Sequence, residues 1–206
     1  MPEETAELGK RERTKQANRA AILEAARAVF ADMGYGAASV RDIVRRTDLA
    51  TGTFYNYFPD KEAVFHALLD EVAGAARERV SAARGSATTL EEFVRAGYEA
   101  YLAFLTEDRR TFELLRRNAG TIRAMFDDPA LGGSTEDLIV DLQAGVAAGR
   151  LPEHDVELMA TAMIGAGFEV GVRILERGGA QDVEAGLELL TAVFTAGFER
   201  LAERRG

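Results

Sequence analysis

The chain contains no cysteine and no tryptophan, and it has only two histidines among its 206 residues. The absence of cysteine excludes disulfide bonds, thiolate metal sites and a cysteine nucleophile, and it fits a reducing compartment. His66 and His154 belong to no Glu-x-x-His or His-Glu-x-x-His pattern. The sequence also lacks a glycine-rich phosphate loop and a nucleophile elbow. We therefore expect a protein that is not an enzyme and that holds no metal or cofactor.

Proline is scarce, with four residues, and no run of 18 consecutive apolar residues occurs. Abundant Ala, Leu, Glu and Arg favour helices, and no segment alternates apolar and polar residues long enough to predict a sheet. The most apolar stretch, residues 158–175, carries Glu169 and Arg173 and is interpreted as a buried helix. Residues 1–10 are acidic and polar, unlike a signal peptide. We expect a cytoplasmic protein with no membrane partner.

The net charge of −9 argues on its face against a nucleic-acid partner, but this charge is unevenly distributed. Residues 10–61 hold ten Lys and Arg against six Asp and Glu, a net charge of +4. Residues 62–206 hold fifteen against twenty-five, a net charge of −10. A small basic region followed by a large acidic one is typical of a DNA-binding domain joined to a separate domain.

Helical periodicity predicts an all-α fold of about nine helices, and we expect two domains, residues 1–66 and 67–206. Residues 1–12 lack an apolar stripe and are predicted to be a mobile tail. A first helix follows, with an apolar stripe that ends before Gly34. Later helices are predicted from Ser39, then over Ala50–Phe58, Lys61–Arg84, Thr89–Thr106, Asp108–Asn118, Thr121–Phe126, Ser134–Ala148, Asp155–Arg177 and Asp182–Arg204, with a break at Gly120.

Several helix starts carry capping signals. Ser39 and Asp60 are predicted to cap the second and fourth helices. A capping box is expected at the fifth helix, formed either by Thr88 with Glu91 or by Thr89 with Glu92.

The most informative segment is SVRDIVRRTDLATGTFYNYFPDK, residues 39–61. It contains two short amphipathic helices joined by the turn Thr47-Asp48-Leu49, which fits a helix-turn-helix whose second helix enters the major groove. Small residues at the start of the second helix allow a close approach to DNA, and hydroxyl and amide groups can reach phosphates and base edges. Phe54 and Phe58 are its apolar anchors.

The stretch LATGTFYNYFPDKEAVF resembles the signature of TetR-family transcriptional regulators, and the resemblance covers about residues 14–66. It implies a three-helix helix-turn-helix domain, followed by a helical domain that binds an effector and dimerises. It also implies a repressor that binds a pseudo-palindromic DNA operator as a homodimer. Ser39 and Lys61 would bind phosphates, and Lys61 would be assisted by the helix dipole. The DNA-contacting residues implied are Ser39, Arg41, Thr51, Gly52, Thr53, Tyr55, Asn56, Tyr57 and Lys61.

Some features of this region allow other interpretations. The family usually has glycine where this chain has Asp48, and Asp tolerates left-handed backbone angles better than most residues, so we expect the turn to persist with slight strain. Arg45 and Arg46 are interpreted as solvated charges. A basic run is either an arm that touches DNA or a solvated stretch, and it comprises Lys10, Arg11, Arg13 and Lys15.

The last two helices are rich in glycine, which costs roughly 1 kcal/mol per residue relative to alanine inside a helix. Close helix packing across a two-fold axis explains this best, and packing within one chain is the alternative. The predicted dimer residues are Gly167, Phe168, Gly171, Leu190, Phe194 and Gly197.

Aromatic residues and methionines of the second domain are candidates for lining a pocket for a mainly apolar effector, or else are plain core. Arg116, Arg117 and Asn118 either bind an anionic group of that effector or form a solvated face. The candidate ligand residues are Tyr98, Tyr101, Phe112, Arg116, Met125, Met159 and Met163. A DNA-binding regulator without any effector is the alternative function.

Overall fold

The computed structural model describes residues 2–125, 133–177 and 180–203, without the side chains of 2–10, 133–134 and 180. Across these ranges the chain is helical, with no strand. This confirms the predicted all-α class. The helices are α1 Pro2–Met33, α2 Val40–Val44, α3 Thr51–Tyr55, α4 Lys61–Gly85, α5 Leu90–Glu107, α6 Arg109–Met125, α7 Gly133–Ala147, α8 Val156–Arg177 and α9 Ala180–Glu203.

The chain divides into two compact units, residues 1–71 and residues 72–206. We refer to them as unit 1 and unit 2. The division lies five residues beyond the predicted boundary at 66/67. Because α4 begins at Lys61 and ends at Gly85, it contributes residues to both units.

Unit 1 is built on α1, which packs against α2, while α2 packs against α3. The predicted stripe on α1 is buried at Ile22, Ala26, Val29 and Phe30, whereas Met33 at the helix end is 42% exposed. Residues 2–12, expected as a tail, continue α1 as helix. This difference arises because Glu, Ala, Lys and Arg have good helix propensity even where no apolar stripe exists.

Gly34 ends α1 in the way the sequence indicates. Its φ of 78° lies in the left-handed region, which glycine adopts without a steric cost. Its amide donates to the carbonyl of Phe30 over 3.1 Å, which closes the last turn of the helix. The chain then passes to Ser39 and the start of α2.

In unit 2, α5 packs against α6, α8 and α9, and α8 also packs against α6, α7 and α9. Within the described residues α8 is long and apolar enough to cross a membrane by length and composition. Its buried side includes Ala160, Met163, Val172 and Ile174. The burial of these side chains shows that one side of α8 packs in the core of unit 2.

The predicted break at Gly120 is wrong, because α6 runs without interruption from Arg109 to Met125. A glycine inside a helix costs only about 1 kcal/mol, which the packing of the helix offsets. The short helix predicted to end at Phe126 is therefore the last part of α6, and Phe126 itself lies outside the described residues.

Candidate nucleic-acid interface

A capping box forms at the start of α2. The prediction that Ser39 caps this helix is confirmed. The Ser39 hydroxyl accepts a hydrogen bond from the Asp42 amide, and the Asp42 carboxylate accepts hydrogen bonds from the Ser39 amide and hydroxyl. The hydroxyl hydrogen bond is the main cause that lowers the pKa of Asp42. The stabilisation that this carboxylate gives is therefore kept at neutral pH and is lost only as the pH falls through that lowered pKa. Arg41, one residue before Asp42, is exposed to solvent.

The turn between α2 and α3 is organised by Thr47. Its hydroxyl donates to the Val44 carbonyl over 2.9 Å and accepts from the Leu49 amide over 3.2 Å. No non-glycine residue in the described chain has a positive φ, so Asp48 does not adopt the left-handed conformation expected for it. The expected strain is absent because side-chain hydrogen bonds close this turn.

The helix α3 is anchored by two phenylalanines and exposes its other side. Phe54 is fully buried and Phe58 nearly so, with ring centroids 6.1 Å apart. A five-residue helix is stable only through such packing. Tyr55 is 54% exposed. Its ring packs against that of Phe54 in a T-shaped arrangement, with the two ring centroids 5.4 Å apart. The outer side also carries Thr51, Gly52 and Asn56, all exposed, with Thr53 half-buried.

Tyr57 is half-buried, and its hydroxyl accepts a hydrogen bond from the Asn18 side-chain amide over 3.2 Å. Asn18 lies on α1, so this bond fixes the position of Tyr57 relative to that helix. The hydroxyl proton of Tyr57 stays available to an acceptor such as a phosphate oxygen. No sequence pattern singles out Asn18, because the two residues are 39 positions apart and the contact exists only in the folded unit.

Lys61 holds the loop that precedes α2. Its ammonium donates to the carbonyls of Tyr35 and Ala38 over 2.8 and 3.1 Å, and it lies 4.4 Å from the centroid of the Tyr35 ring. An ammonium has three protons, so one remains for a phosphate oxygen. The phosphate contact stays a prediction, and the structure adds a positioning role.

The other basic side chains of unit 1 differ in their pairing. Arg46 forms an exposed ion pair with Asp32 over 2.7 Å, which agrees with a solvated charge. Arg45 is exposed, and so are Arg11, Arg13 and Lys15 on α1. The side chain of Lys10 lies outside the described residues. Exposure leaves both interpretations of the basic run open.

This arrangement, two short helices with an exposed polar side on the second, can be compared with known proteins. A family model described as "Bacterial regulatory proteins, tetR family" matches residues 22–68, which contain α2, α3 and the start of α4. Residues 22–68 are therefore similar to the DNA-binding domain of TetR-family regulators. The helix-turn-helix interpretation of residues 39–61 thereby gains independent support.

A curated relative is the HTH-type transcriptional repressor KstR2 of Rhodococcus jostii (strain RHA1). It is 34% identical over 90 residues, which are 42% of this chain and 44% of the relative. The chain therefore matches less than half the length of that protein.

Solved structures extend the similarity in fold to nearly the whole chain. The fatty acid degradation regulator FadR from Bacillus halodurans has a TM-score of 0.70 and 24% identity, with 87% of this chain and 95% of that chain covered. The regulator FadR from Bacillus subtilis, in complex with stearoyl-CoA, has a TM-score of 0.68 and 24% identity, with 83% and 96% covered. At such identities the likeness concerns the fold of both units.

In unit 2 the structure brings together three of the seven candidate ligand residues. Tyr98 and Met163 are buried, and the Tyr98 hydroxyl donates to the Met163 carbonyl over 3.1 Å. Tyr101 lies beside them on α5, and burial raises the pKa of both tyrosine hydroxyls. These residues form the contact between α5 and α8.

The other candidate ligand residues are not shown together. Arg116 is exposed and paired with Glu113 over 2.6 Å, while Asn118, grouped with it in the sequence, is buried and donates to the Leu114 carbonyl. Half-buried positions are occupied by Phe112, Met125 and Met159. A groove of about 510 Å³ between α4 and α7 is lined by none of them, and Arg77 and Asp137 form an ion pair on its wall.

The α8 glycines were explained by close packing across a two-fold axis, and this explanation needs correction. A Cβ at Gly167 would lie 3.1 Å from the Tyr98 ring, and one at Gly171 would lie 2.8 Å from a Leu105 methyl group. Both glycines thus allow close packing on α5 of the same chain, which was the alternative reading. Leu190 and Phe194 are buried within the chain as well. Phe168 is half-buried, and so is Gly197, where a Cβ would meet nothing within 4 Å.

Arg84 is a residue of unit 2 that the sequence did not single out. It is only 7% exposed, although it ends a long helix, and its guanidinium lies 3.7 Å from the Asp141 carboxylate on α7. A Cβ at Gly97 would come within 2.5 Å of its Nε, so the guanidinium needs that glycine. Burial raises the pKa of Asp141 despite the nearby positive charge. Such a pair joins α4 to α7, and loss of Asp141 would leave the buried guanidinium of Arg84 without its carboxylate.

Proposed function

We propose that this chain is a DNA-binding transcriptional regulator that acts as a homodimer on a pseudo-palindromic operator. The exposed side of α3 carries this proposal, since Tyr55 and Asn56 project hydroxyl and amide groups from a helix that is held by its opposite side. In this proposal α3 enters the major groove, where amide and hydroxyl groups read base edges. The protein acts by binding and catalyses no reaction, and its place of action is the cytoplasm.

Contacts to the DNA backbone surround α3 in this proposal. Lys61 binds a phosphate on one side of it. On the other side Ser39 binds a phosphate by turning its hydroxyl proton away from the Asp42 carboxylate, and Arg41 lies near the groove. The net charge of +4 over residues 10–61 supports this role, because phosphate neutralisation supplies much of the affinity for DNA. A net charge of −7 over residues 72–206, from fifteen Arg and twenty-two Asp and Glu, favours DNA contact by unit 1 alone.

A dimer surface is proposed on the outer side of α9. Leu189 and Val193 are 56% and 55% exposed, and being four residues apart on one helix they form a contiguous apolar patch. Small apolar residues continue the same stripe, at a spacing of three or four residues. This α9 stripe consists of Ala185, Leu189, Ala192, Val193 and Ala196, all exposed in the single chain.

A fatty acyl-CoA is the effector class that we propose. The similar FadR from Bacillus subtilis was solved with stearoyl-CoA. In this chain the contact between α5 and α8 is apolar and contains few polar atoms, among them the hydroxyl groups of Tyr98 and Tyr101, and an acyl chain would enter by parting these closely packed helices. We propose that the protein represses transcription and that the effector relieves this repression by a two-state switch. Because α4 contributes to both units, a shift of α4 is the proposed route of coupling, and DNA and effector must weaken each other equally.

Selection from a random DNA pool tests the function. Purified full-length protein should enrich a pseudo-palindrome whose half-sites lie about one helical turn apart, roughly 34–36 Å, as two symmetric recognition helices require. Affinity for the selected DNA should fall steeply with salt. Enrichment of no sequence, or of a single unrepeated half-site, would count against this function.

A thermal-shift measurement with stearoyl-CoA tests the effector separately. A ligand that binds the folded state raises the melting temperature by mass action, and it should also release the selected DNA. If DNA binding is specific but stearoyl-CoA changes neither melting nor DNA affinity, this effector class is refuted, and the alternative of a regulator without an effector is favoured.

A further inference from the structure

The exposed side of α6 is strongly basic in a unit that is otherwise acidic. This helix holds five arginines and one acidic residue, Glu113, whereas residues 72–206 carry a net charge of −7. One third of the fifteen arginines of those residues therefore lie on one helix of 17 residues. We call this side the arginine face, and it consists of Arg109, Arg110, Arg116, Arg117 and Arg123, all exposed.

Helix geometry places these side chains on one side. At 100° per residue the five arginines fall within an arc of roughly 140°, and from Arg109 to Arg123 the face is about 21 Å long. The opposite side of α6 is buried, with Leu114, Leu115 and Ala119 in the core of unit 2. The helix thus separates an apolar interior from a cationic surface.

The arginines of the face differ in how far the protein itself neutralises them. Arg116 is paired with Glu113, and Arg123 with Glu169 on α8. In the part of the chain that the structure describes, Arg109 and Arg117 have no carboxylate within 4 Å. They stand eight residues apart, or about 12 Å along the helix. Two guanidinium groups at this separation, neither of them paired with a described carboxylate, suit a ligand with two separate phosphate groups, because guanidinium pairs with phosphate through parallel hydrogen bonds.

We propose that the arginine face of α6 binds the phosphate groups of the nucleotide part of an acyl-CoA effector. This inference rests on the proposed effector class. Coenzyme A carries a diphosphate and a separate ribose phosphate, while its acyl chain is apolar, so the two sides of α6 match the two parts of the molecule. A DNA duplex fits less well, because it extends beyond a 21 Å face and its phosphates would meet the acidic remainder of unit 2.

The test compares two double variants of the full-length protein by calorimetric titration with stearoyl-CoA and with stearic acid. Arg109→Gln with Arg117→Gln removes the two charges of the face that are not paired with a described carboxylate. The control, Arg173→Gln with Arg177→Gln, removes two exposed charges at the end of α8, where each arginine is paired with an acidic residue. Far-UV circular dichroism checks that both variants are folded.

We expect stearoyl-CoA to bind the face variant at least about tenfold more weakly, with a smaller dependence on salt, while the affinity for stearic acid is unchanged. The control should stay within about twofold of the wild type for both ligands. Equal affinity of the wild type and the face variant for stearoyl-CoA overturns the inference. So does a face variant that loses affinity for the selected DNA and not for stearoyl-CoA.

If an acyl-CoA is not the effector, the same titrations give a different result. A wild-type protein that binds no stearoyl-CoA refutes both the effector class and this inference, whereas the DNA selection judges the regulatory function independently. A wild-type protein that binds stearic acid as tightly as stearoyl-CoA keeps an apolar effector and refutes the arginine face as its phosphate site.

Discussion

At position 52, near the start of α3, a Cβ would meet nothing within 4 Å. The backbone there is not left-handed, since the positive-φ glycines of the described chain are Gly34 and Gly149. Neither a neighbour nor the backbone conformation thus requires glycine, although glycine in a helix is less favourable than alanine. We infer that the small size serves an approach from outside, as a DNA backbone would make.

Gly52→Ala is therefore expected to stabilise the fold and to weaken operator binding. The free energy of unfolding should rise by a few tenths of a kcal/mol to about 1 kcal/mol, because alanine is the better helix former. The affinity for the selected DNA should fall by about tenfold, since a methyl group would prevent the close contact. Urea unfolding followed by far-UV circular dichroism, and fluorescence anisotropy with labelled DNA, measure the two effects.

Gly85→Ala provides the control for this substitution. Gly85 is the last residue of α4 and also has nothing within 4 Å of its Cβ position. DNA affinity should stay at the wild-type value in this variant. Unchanged DNA affinity in Gly52→Ala as well would show that the glycine does not serve DNA contact.

At the scale of elements, the contact of α5 with α8 depends on glycines that face tyrosine rings. A Cβ at Gly171 would lie 2.8 Å from Leu105 and 3.0 Å from the Tyr101 hydroxyl. At Gly120, on the exposed side of α6, a Cβ would meet open space. The two glycines therefore have opposite expected responses to alanine.

Gly171→Ala should lower the free energy of unfolding by about 1–3 kcal/mol, because the added methyl group forces α5 and α8 apart. Gly120→Ala should raise it by up to about 1 kcal/mol. Urea unfolding at equal protein concentration compares them. A Gly171→Ala protein as stable as the wild type would disprove the close packing of the two helices.

How much of these elements the sequence could predict depends on the range of the interaction. The capping boxes of Ser39 with Asp42 and of Thr89 with Glu92 join residues three positions apart, so helix starts were predictable, and Asp60 caps α4 as expected. The burial of Arg84 was not predictable, because it depends on Asp141 and on a glycine of another helix. The DNA-binding segment is short and local, so its signature survives in the sequence. The pocket and dimer residues depend on distant contacts.

At the scale of the whole molecule, the α9 stripe is the surface proposed to join two chains. Two recognition helices must be held at a fixed separation to read two half-sites. The stripe offers apolar side chains that are exposed in the part of the chain that the structure describes, and it resembles the apolar core of a homodimer interface more than ordinary protein surface.

Leu189→Glu combined with Val193→Glu should convert the dimer into a monomer, because four carboxylates would be brought together at a two-fold interface. Sedimentation velocity measures the change, and DNA affinity should fall with it. Val140→Glu on α7, where the side chain is 62% exposed, is the matched control and should remain dimeric. A double variant that sediments as the wild type does would place the interface elsewhere.

The most direct test of DNA recognition by α3 is the affinity of Tyr55→Ala for the DNA selected by the wild-type protein, measured by fluorescence anisotropy. Tyr55 is more than half exposed, and among the aromatic residues described its ring contacts only that of Phe54, so its loss should leave the melting temperature nearly unchanged. The account predicts a dissociation constant at least about tenfold higher, as for the loss of a base or phosphate contact. A folded variant that binds this DNA as tightly as the wild type would contradict it.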